Sequence, residues 1–550
     1  MIVLIYGGLA QLARACDWQS QGREFDSPNL HKSCFRAAFL FYLLMETQLH
    51  CISNGPSCIM LLLRLPTPDE RHIAIYSESP LQVLEGFDLS RKKNVRSPER
   101  GEIEQFPLNL PKSDTIIVFN AGFLTIFAQY KLNTANMIQD IISGQKAELE
   151  RKLKESYLSR ETTLKGFDTD LINVVIGPRR AGKSFFSMHT TKSGKGVGYV
   201  NFDEERLLKV DNFDKIISAV KAVYSDPHIL FFDEIQNVDQ WEIIANRLYR
   251  EGFKLILTGS NSHLLSSDLA THLTGRHYMT ALFPFSFKEV MHLFPESVTT
   301  IDRQQRCLDY VMKGGFPELW VKNYDPSEYL STLFDSIILK DIVKRYKVRF
   351  PNALIDLAQI LISNIAGEFS NTSIQKLANF NSIHTVEKYI GYLEEAFLIF
   401  SVPRFSYKIT AQKSSGKKIY CYDTGYYQAK AFSFSRNIGK LFENAVASEL
   451  KREEMAGNIK LFYYKNQKQE EVDFVVQENR QITKLIQVCY SISEPKVMER
   501  EIRSLLKASE ELKCERLLVI TNDFERTEKH SWFGFEGEIE FIPLWKWFLT

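Results

Sequence analysis

The sequence predicts an α/β protein that is built around a parallel β-sheet. Short apolar runs that are typical of buried strands recur along the chain, and stretches with helical spacing separate them. Two of these runs lead directly into motifs that carry charge. The runs are residues 171–176, 197–202, 228–232, 253–257 and 277–282.

The composition excludes several classes of protein. The 550 residues suffice for two to four domains of about 100–200 residues each. With 68 basic and 67 acidic side chains the formal net charge is +1, which gives no argument for nucleic-acid binding by the whole chain. The longest apolar run, 37–45, is shorter than the roughly 18–20 residues that span a bilayer. The eight cysteines have no metal-ligand or CxxC spacing, which favours a reducing cytoplasm.

The first 136 residues lack a clean period and clear helix caps. Their stretch GGLAQLARACDWQSQGREFDSP resembles the conceptual translation of a transfer-RNA gene, since the codons for Glu24–Ser27 can spell the T-arm consensus. The regular pattern starts at Met137. We therefore expect 1–136 to be a spurious or disordered extension; a genuine, divergent domain is the alternative.

The first charged motif follows run 171–176. It fits G-x-x-x-x-G-K-[ST] and precedes a helical stretch, the context that a P-loop requires. Glycines let backbone N–H groups curl around phosphate oxygens. Lys183 is expected to reach the β- and γ-phosphates, and Ser184 to hold Mg²⁺. The motif consists of Gly177, Pro178, Arg179, Arg180, Ala181, Gly182, Lys183 and Ser184.

The second charged motif ends run 228–232. Asp233 there is expected to hold the Mg²⁺ shell, and Glu234 to polarise the attacking water. An acid that merely begins a helix is the alternative for Glu234. The run 197–202 lies between the two motifs in sequence, a layout that is typical of additional-strand P-loop ATPases.

Polar residues after the later runs suggest further contacts with phosphate. Ser260 and Asn261 follow run 253–257 and are candidate sensors of the γ-phosphate, while a helix N-cap is an equally good interpretation. Arg276 precedes run 277–282 and is a candidate arginine finger or a structural ion-pair residue.

A family resemblance rests on several segments in order. YVNFDEERL, ILFFDEIQNVDQWE, LTGSNSHLLSSDLATHLTGR, LFPFSFKEV and YVMKGGFPELW resemble the prokaryotic AAA-type ATPases that carry an uncharacterised C-terminal domain. The resemblance covers about 137–550. It implies ATP binding, hydrolysis and a C-terminal nuclease-like fold. The chain would then comprise an ATPase domain (137–290), a helical linker or lid (291–350), a winged-helix domain (351–430) and a nuclease-like domain (431–550).

The middle of the chain has the order of a winged helix. Its candidate recognition helix carries Lys388 against three glutamates, which is poor electrostatics for a phosphate backbone. A following hairpin is more basic and is a candidate DNA-binding wing; a solvated hairpin tip is the alternative. Its lysines are Lys408, Lys413, Lys417 and Lys418.

The last domain resembles a restriction-endonuclease-like α/β fold but departs from its active site. Glu443 and Asp473 match two metal-binding acids, whereas Gln487 and Cys489 replace the acid and lysine of the next strand. We therefore expect a degenerate nuclease site that has lost cleavage. A lysine from elsewhere, such as Lys465 or Lys484, could still enter it.

Together these features predict a cytoplasmic ATPase with ATP and Mg²⁺ as cofactors. Its nucleotide state would control the winged-helix and nuclease-like module on a DNA or protein partner, and an oligomer is compatible with Arg276 acting in trans. A non-hydrolysing, nucleotide-gated binding module and an ATP-regulated nuclease are the alternatives.

Overall fold

The computed structural model describes residues 48–53, 59–64, 72–77, 115–191, 196–261, 273, 275–294, 299–431, 437–492 and 495–550. The chain divides into two compact units, Met1–Met137 and Ile138–Thr550. The expectation for 1–136 falls largely outside the described residues and stays a prediction. Among the described helices, none combines the length and the apolar character needed to cross a membrane.

The described part of the first unit contains a four-stranded sheet, in the order β1-β2-β3-β4. β2 is antiparallel to both β1 and β3, and β4 is parallel to β3. These strands are Gln48–Ser53 (β1), Ile59–Arg64 (β2), His72–Ser77 (β3) and Thr115–Asn120 (β4). Helix α1, Ala121–Lys152, comes next in the chain and begins before the helix that the pattern from 138 onward predicts.

The second unit begins with a five-stranded parallel sheet, which confirms the predicted α/β class. The strands are Ile172–Ile176 (β5), Val197–Asn201 (β6), Ile229–Asp233 (β7), Lys254–Gly259 (β8) and His277–Ala281 (β9). Helices α2 (Lys183–Thr191), α3 (Glu205–Leu208), α4 (Phe213–Tyr224) and α5 (Trp241–Arg250) connect them. β5 and β7 are buried along their whole length because the sheet is covered on both faces.

The strand order β6-β7-β8-β5-β9 shows which strand lies between the strands that end in the two charged motifs. The sequence pointed to run 197–202, which lies between the two charged motifs along the chain. In the sheet that run is the edge strand β6, and β8 separates β5 from β7. Sequence order alone does not give this pairing, since parallel strands are joined by crossovers of any spatial order.

A helical region follows. Its helices are α6 (Phe287–Met291), α7 (Thr300–Lys313), α8 (Pro317–Val321), α9 (Pro326–Ser336), a π-helical segment (Ile337–Lys344), α10 (Pro351–Ser363), α11 (Asn371–Leu377), α12 (Ile383–Glu395), α13 (Ile409–Ser414) and α14 (Gly425–Lys430). A small antiparallel sheet lies among them, in the order β10-β12-β11. Its strands are Glu368–Phe369 (β10), Ile399–Pro403 (β11) and Lys417–Cys421 (β12).

The structure contradicts part of the prediction that this hairpin is a basic wing. Helix α13 occupies the stretch that the sequence assigned to the wing, and Lys408, Lys413 and Lys417 around it are exposed. Lys418, by contrast, is buried and paired with carboxylates. It therefore cannot belong to an exposed basic wing.

The last 113 residues form one mixed sheet with two long helices. The order is β13-β14-β15-β16-β18-β17, in which β15, β16 and β18 run parallel. The elements are α15 (Ile438–Met455), β13 (Lys460–Lys465), β14 (Glu471–Glu478), β15 (Gln481–Val488), α16 (Pro495–Leu512), β16 (Leu517–Thr521), β17 (Arg526–Trp532), β18 (Phe535–Pro543) and α17 (Leu544–Trp547). Leu505, Val519 and Phe541 lie in the core between the sheet and α16.

A glycine turn ties the helical region to the parallel-sheet domain. The N–H of Gly315 donates to Asp423 at 2.7 Å, and its carbonyl accepts from the Phe285 N–H at 2.6 Å. A Cβ at Gly315 would stand 2.2 Å from the Phe285 carbonyl oxygen. Since that oxygen belongs to backbone, no side-chain rotation can make room for it.

Gly315→Ala is therefore expected to lower the free energy of unfolding by about 2–4 kcal/mol. Gly391→Ala is the matched control, because a Cβ at that helical glycine meets nothing within 4 Å. The control should gain about 0.5–1 kcal/mol from better helix propensity. Urea unfolding followed by circular dichroism measures both, and equal stabilities of the two variants would contradict the close approach.

Candidate nucleotide site

The two charged motifs and the candidate sensor meet at one edge of the parallel sheet. The loop 177–184 joins the end of β5 to α2, Asp233 ends β7, and Ser260 directly follows β8. The carboxyl ends of neighbouring parallel strands share one edge, which is where ligands bind in such sheets. The structure thus brings together side chains that lie up to 83 residues apart in sequence (260 − 177).

Backbone geometry explains the glycines of the loop. Gly177 and Gly182 have φ of 148° and 93°, and a Cβ at Gly177 would stand 1.9 Å from the Leu282 carbonyl oxygen. Arg160, which the sequence did not indicate, contacts the backbone of the loop. Its guanidinium donates to the Ala181 carbonyl at 3.0 Å and pairs with buried Glu289 at 2.9 Å.

Lys183 is buried in this loop. Its ammonium donates to the carbonyl oxygens of Gly177 and Pro178 at 3.0 and 2.9 Å. Burial lowers the pKa of Lys183, while the nearby carboxylates of Glu234 and Asp233 act in the opposite direction. The ammonium is therefore held by neutral oxygens and faces two acids at close range.

Asp233 is the most heavily bonded acid of the site. Its Oδ1 accepts from the Ser184 hydroxyl at 2.9 Å and from Thr258, and its Oδ2 accepts from Tyr199 Oη at 3.0 Å. Burial and the neighbouring Glu234 raise the pKa of Asp233, and these three hydroxyl donors limit the rise. Tyr199 and Thr258 were missed by the sequence interpretation, because nothing in their local pattern distinguishes them from strand residues.

Glu234 lies in a left-handed backbone conformation, with φ of 53°. Its Oε2 accepts from Ser260 Oγ at 3.1 Å and from the Gln236 side-chain amide. Burial alone would raise the pKa of Glu234, but Lys183, Gln236 and Arg179 bring it below the ordinary value. The carboxylate is therefore ionised at neutral pH. The buried Gln236 Oε1 has no hydrogen-bond partner within the described part of the chain.

Arg179 connects the loop to the helical region. Its guanidinium contacts Asp341 of the π-helical segment at 2.7 Å and Asp203 at 3.7 Å. Burial opposes a rise in the pKa of Arg179, but Asp341, Asp203 and Glu234 together raise it. Asp341 lies 162 residues from Arg179, so no sequence signal reveals the pair.

Asn261 contacts a different element from Ser260. Its side-chain amide donates to Tyr346 Oη at 3.2 Å, and that hydroxyl donates to Glu395 at the end of α12. The ring of Tyr346 stacks on Tyr392, with 3.8 Å between the centroids. A polar and aromatic chain therefore runs from the sheet edge to the candidate recognition helix.

Arg276 is not brought to the site. Its carbonyl accepts from the Ile172 N–H at the start of β5, and its guanidinium lies over the Tyr249 ring. The five residues of β5 place it about 16 Å from the loop, at the opposite edge of the sheet. Arg276 is therefore not among the residues that the structure brings to the candidate nucleotide site of its own chain. An action on a neighbouring copy stays a prediction.

The residues that the sequence predicts to form a degenerate nuclease site lie close together in the last domain. Lys418 Nζ contacts Glu443 and Asp473, each at 2.8 Å, while Gln487 Oε1 accepts from the Asp473 N–H at 3.3 Å. The thiol of Cys489 is buried and donates to the Ser491 carbonyl. Burial raises the pKa of Cys489 to about 11, which leaves it as an un-ionised thiol.

The lysine at these acids is not one that the sequence suggested. Lys465 pairs with Glu368 at 2.7 Å, and Lys484 lies 3.6 Å from Glu478. Neither contacts Asp473. Lys418 comes instead from β12 of the preceding domain, which only the fold reveals.

Three family models match this chain. An AAA domain matches residues 169–291, which hold the whole candidate nucleotide site. Two domains of unknown function, DUF8612 and DUF4143, match residues 304–435 and 438–547.

Two relatives match over most of their length. The chain is 35% identical over 425 residues to Uncharacterized protein MJ1544 of Methanocaldococcus jannaschii, covering 73% of this chain and 93% of that protein. It is 30% identical over 400 residues to an uncharacterized protein of Haemophilus influenzae, covering 68% and 94%. The chain belongs to their family. It is an AAA-domain protein.

Two solved structures are also similar to this AAA-domain protein. Cdc6p from Pyrobaculum aerophilum has a TM-score of 0.22 at 11% identity, over 49% of this chain and 93% of that one. The S. cerevisiae Hsp104-ADP complex has a TM-score of 0.22 at 14% identity, over 57% and 44%.

Tyr199→Phe is expected to destabilise this AAA-domain protein by about 1–3 kcal/mol, because Asp233 loses a buried donor. Tyr426→Phe is the matched control, since that buried hydroxyl has no hydrogen-bond partner among the described residues. The control should change the free energy of unfolding by less than about 0.5 kcal/mol. Similar losses in both variants, measured by chemical unfolding, would contradict the role of the Tyr199 hydroxyl.

Proposed function

We propose that this protein is an ATP hydrolase whose nucleotide state controls the domains that follow it. The observation that carries the proposal is the meeting of Lys183, Ser184, Asp233, Glu234 and Ser260 at one sheet edge. The AAA-domain match over 169–291 supports it. A cytoplasmic location, inferred from cysteine usage, belongs to the same proposal.

The residues present fit ATP with Mg²⁺. The Ser184 hydroxyl and the Asp233 carboxylate lie 2.9 Å apart and offer the oxygen ligands that Mg²⁺ prefers. The loop offers backbone N–H groups, the start of α2 and the Lys183 ammonium to the phosphates. Mg²⁺, when bound, would neutralise negative charge on the phosphate oxygens.

Glu234 is the residue proposed to orient the attacking water. Its low pKa keeps a charged acceptor at the site, and Ser260 and Gln236 fix its position. The free Oε1 of Gln236 adds a second acceptor for that water. The new bond joins the water oxygen to the γ-phosphorus, the bond to the ADP oxygen breaks, and the water proton passes to Glu234 or to the departing phosphate.

Arg179 is proposed to take the role of the arginine that contacts phosphate, for which the sequence suggested Arg276. It lies in the phosphate loop itself, and Glu234 is among the acids that act on its guanidinium. In this structure Asp341 holds it at 2.7 Å. ATP phosphates and Asp341 would therefore compete for one guanidinium.

Two contacts can carry nucleotide state to the effector domains. One is the Arg179–Asp341 pair, and the other is the path from Asn261 through Tyr346 to Glu395. The second path ends on α12, in the proposed winged-helix domain. A DNA or protein partner would be reached there, and Lys408, Lys413 and Lys417 remain exposed for such a contact.

The proposal is tested by ATP binding and phosphate release. Lys183→Ala should weaken ATP binding at least about tenfold, because the phosphates lose a buried cation. Glu234→Gln should retain binding and lower kcat about 10²-fold, since the amide cannot accept the water proton. Lys154→Ala, an exposed lysine outside the site, is the control and should match the wild type.

The outcomes separate the alternatives. Turnover that survives Lys183→Ala would defeat the hydrolase proposal. ATP binding without turnover in the wild-type chain would favour a nucleotide-gated binding module instead.

The competition for Arg179 has its own test. Asp341→Asn should tighten ATP binding roughly three- to tenfold, because the guanidinium is released to the phosphates. Glu318→Gln is the matched control, since Glu318 pairs with the neighbouring loop residue Arg180 at 3.4 Å. Arg179→Ala should weaken binding and cancel the effect of Asp341→Asn. An effect of Asp341→Asn that persists without Arg179 would refute the competition.

A further inference from the structure

A cluster of one buried lysine and three carboxylates joins two domains. Lys418 on β12 is 2% exposed, and its Nζ lies 2.8 Å from Glu443, 2.6 Å from Glu471 and 2.8 Å from Asp473. Lys418 belongs to the 304–435 domain, and the three acids belong to the 438–547 domain. The cluster is therefore an interdomain contact.

Strand geometry builds this contact. Glu471 and Asp473 are two residues apart on β14 and so point to the same face. Tyr420, two residues along β12 from Lys418, donates to Glu443 at 2.7 Å. The N–H of Val488 donates to the other Asp473 oxygen at 3.0 Å. Glu443 and Asp473, the two more deeply buried carboxylates, thus each accept hydrogen bonds from more than one group.

The three carboxylates around the Lys418 ammonium form a site that attracts a cation. Three carboxylate oxygens from a helix and a strand converge on the Lys418 ammonium, and carboxylate oxygens are the type of ligand that a hard divalent cation prefers. Here the position holds an ammonium, and the three carboxylates and Tyr420 keep the pKa of Lys418 well above its ordinary value despite burial. Burial and Asp473 raise the pKa of Glu443 to about 7. Lys465 supplies a second, more distant cation at 3.7 Å from Glu471.

The residues beside the cluster do not fit a metal. The Gln487 side-chain N–H donates to Glu501 at 2.6 Å and its oxygen accepts from the Asp473 N–H, so both polar atoms of the amide are engaged. The Cys489 thiol is turned to the Ser491 carbonyl. Within the described ranges, no group of three or more His, Cys, Asp or Glu side chains is arranged to hold a metal ion.

We propose that Lys418 is a tethered cation that takes the place of a divalent metal among Glu443, Glu471 and Asp473, and that it joins the two domains in this way. The ammonium and a metal compete for the same oxygens. With Lys418 in place the cluster binds no divalent cation and cleaves no phosphodiester. This inference is independent of ATP turnover, since none of its residues belongs to the nucleotide site.

The test is a Mn²⁺ titration of the full chain without nucleotide, followed by electron paramagnetic resonance. All variants carry Asp233→Asn, which removes the acid of the other candidate cation site. The chain with Lys418 should show no saturable binding up to about 1 mM Mn²⁺. Lys418→Met should gain a site at least roughly tenfold tighter, and adding Asp473→Asn should abolish it again.

Thermal unfolding gives a second measurement. Lys418→Met should lower the melting temperature, and Mn²⁺ should restore it in that variant alone. Lys417→Met is the matched control. Lys417 precedes Lys418 in the chain but its side chain is exposed, so this variant should behave like the parent chain. A folded Lys418→Met chain that neither binds Mn²⁺ nor is stabilised by it overturns the proposal.

The parent chain decides the matter if Lys418→Met fails to fold. Saturable Mn²⁺ binding by the chain with Lys418, removed by Asp473→Asn, overturns the proposal. Absence of such binding, together with a folded Lys418→Arg chain that keeps the cation, supports it.

Discussion

Three buried backbone carbonyls hold the domains of the second unit together. The oxygens of Phe283, Pro284 and Phe285 lie just after β9, where no sheet partner is left for them. Arg160 donates to the first two, at 2.6 and 3.4 Å, while Arg452 of α15 donates to the last two at 2.9 and 3.3 Å. Tyr310 adds a bond to the Phe285 oxygen at 2.9 Å. Since buried carbonyls must be paired, this segment holds the loop that carries Arg160 and the helices α7 and α15 close to the end of β9.

Two buried lysines among the described residues are compensated in opposite ways, and this difference distinguishes the proposed nucleotide site from the proposed tethered-cation cluster. Lys183 donates to two neutral carbonyl oxygens, so an anionic ligand can still take its charge. Lys418 contacts three carboxylates and has no comparable capacity left. Helix α15 reaches from the Lys418 cluster to the segment after β9, because Glu443 near its beginning contacts Lys418 and Arg452 near its end contacts Pro284, about 14 Å apart.

Local patterns predicted the elements that depend on neighbours in sequence. Sequence patterns predicted the phosphate loop, the strand that ends in Asp233 and Glu234, and the polar residues after β8. In each case the strand and the residues that carry the motif follow each other directly in the chain. The same patterns did not settle questions that depended on strand order. Arg276 was a candidate for the nucleotide or for a structural ion pair, and it precedes β9 at the edge of the sheet opposite the phosphate loop. Lys418 was assigned to a basic wing, because its neighbours in sequence are lysines and serines.

The sequence by itself determined the α/β class and the position of the phosphate-loop motif, while the departure of the last domain from a nuclease stays a prediction. These follow from residue type and spacing, which act over a few residues. Tertiary structure alone decided the partners of the buried charges: Asp341 for Arg179, Tyr199 for Asp233, and three acids for Lys418. The physical reason is that a charge removed from water needs a partner close by in space, and the chain is free to supply it from any distance along its length.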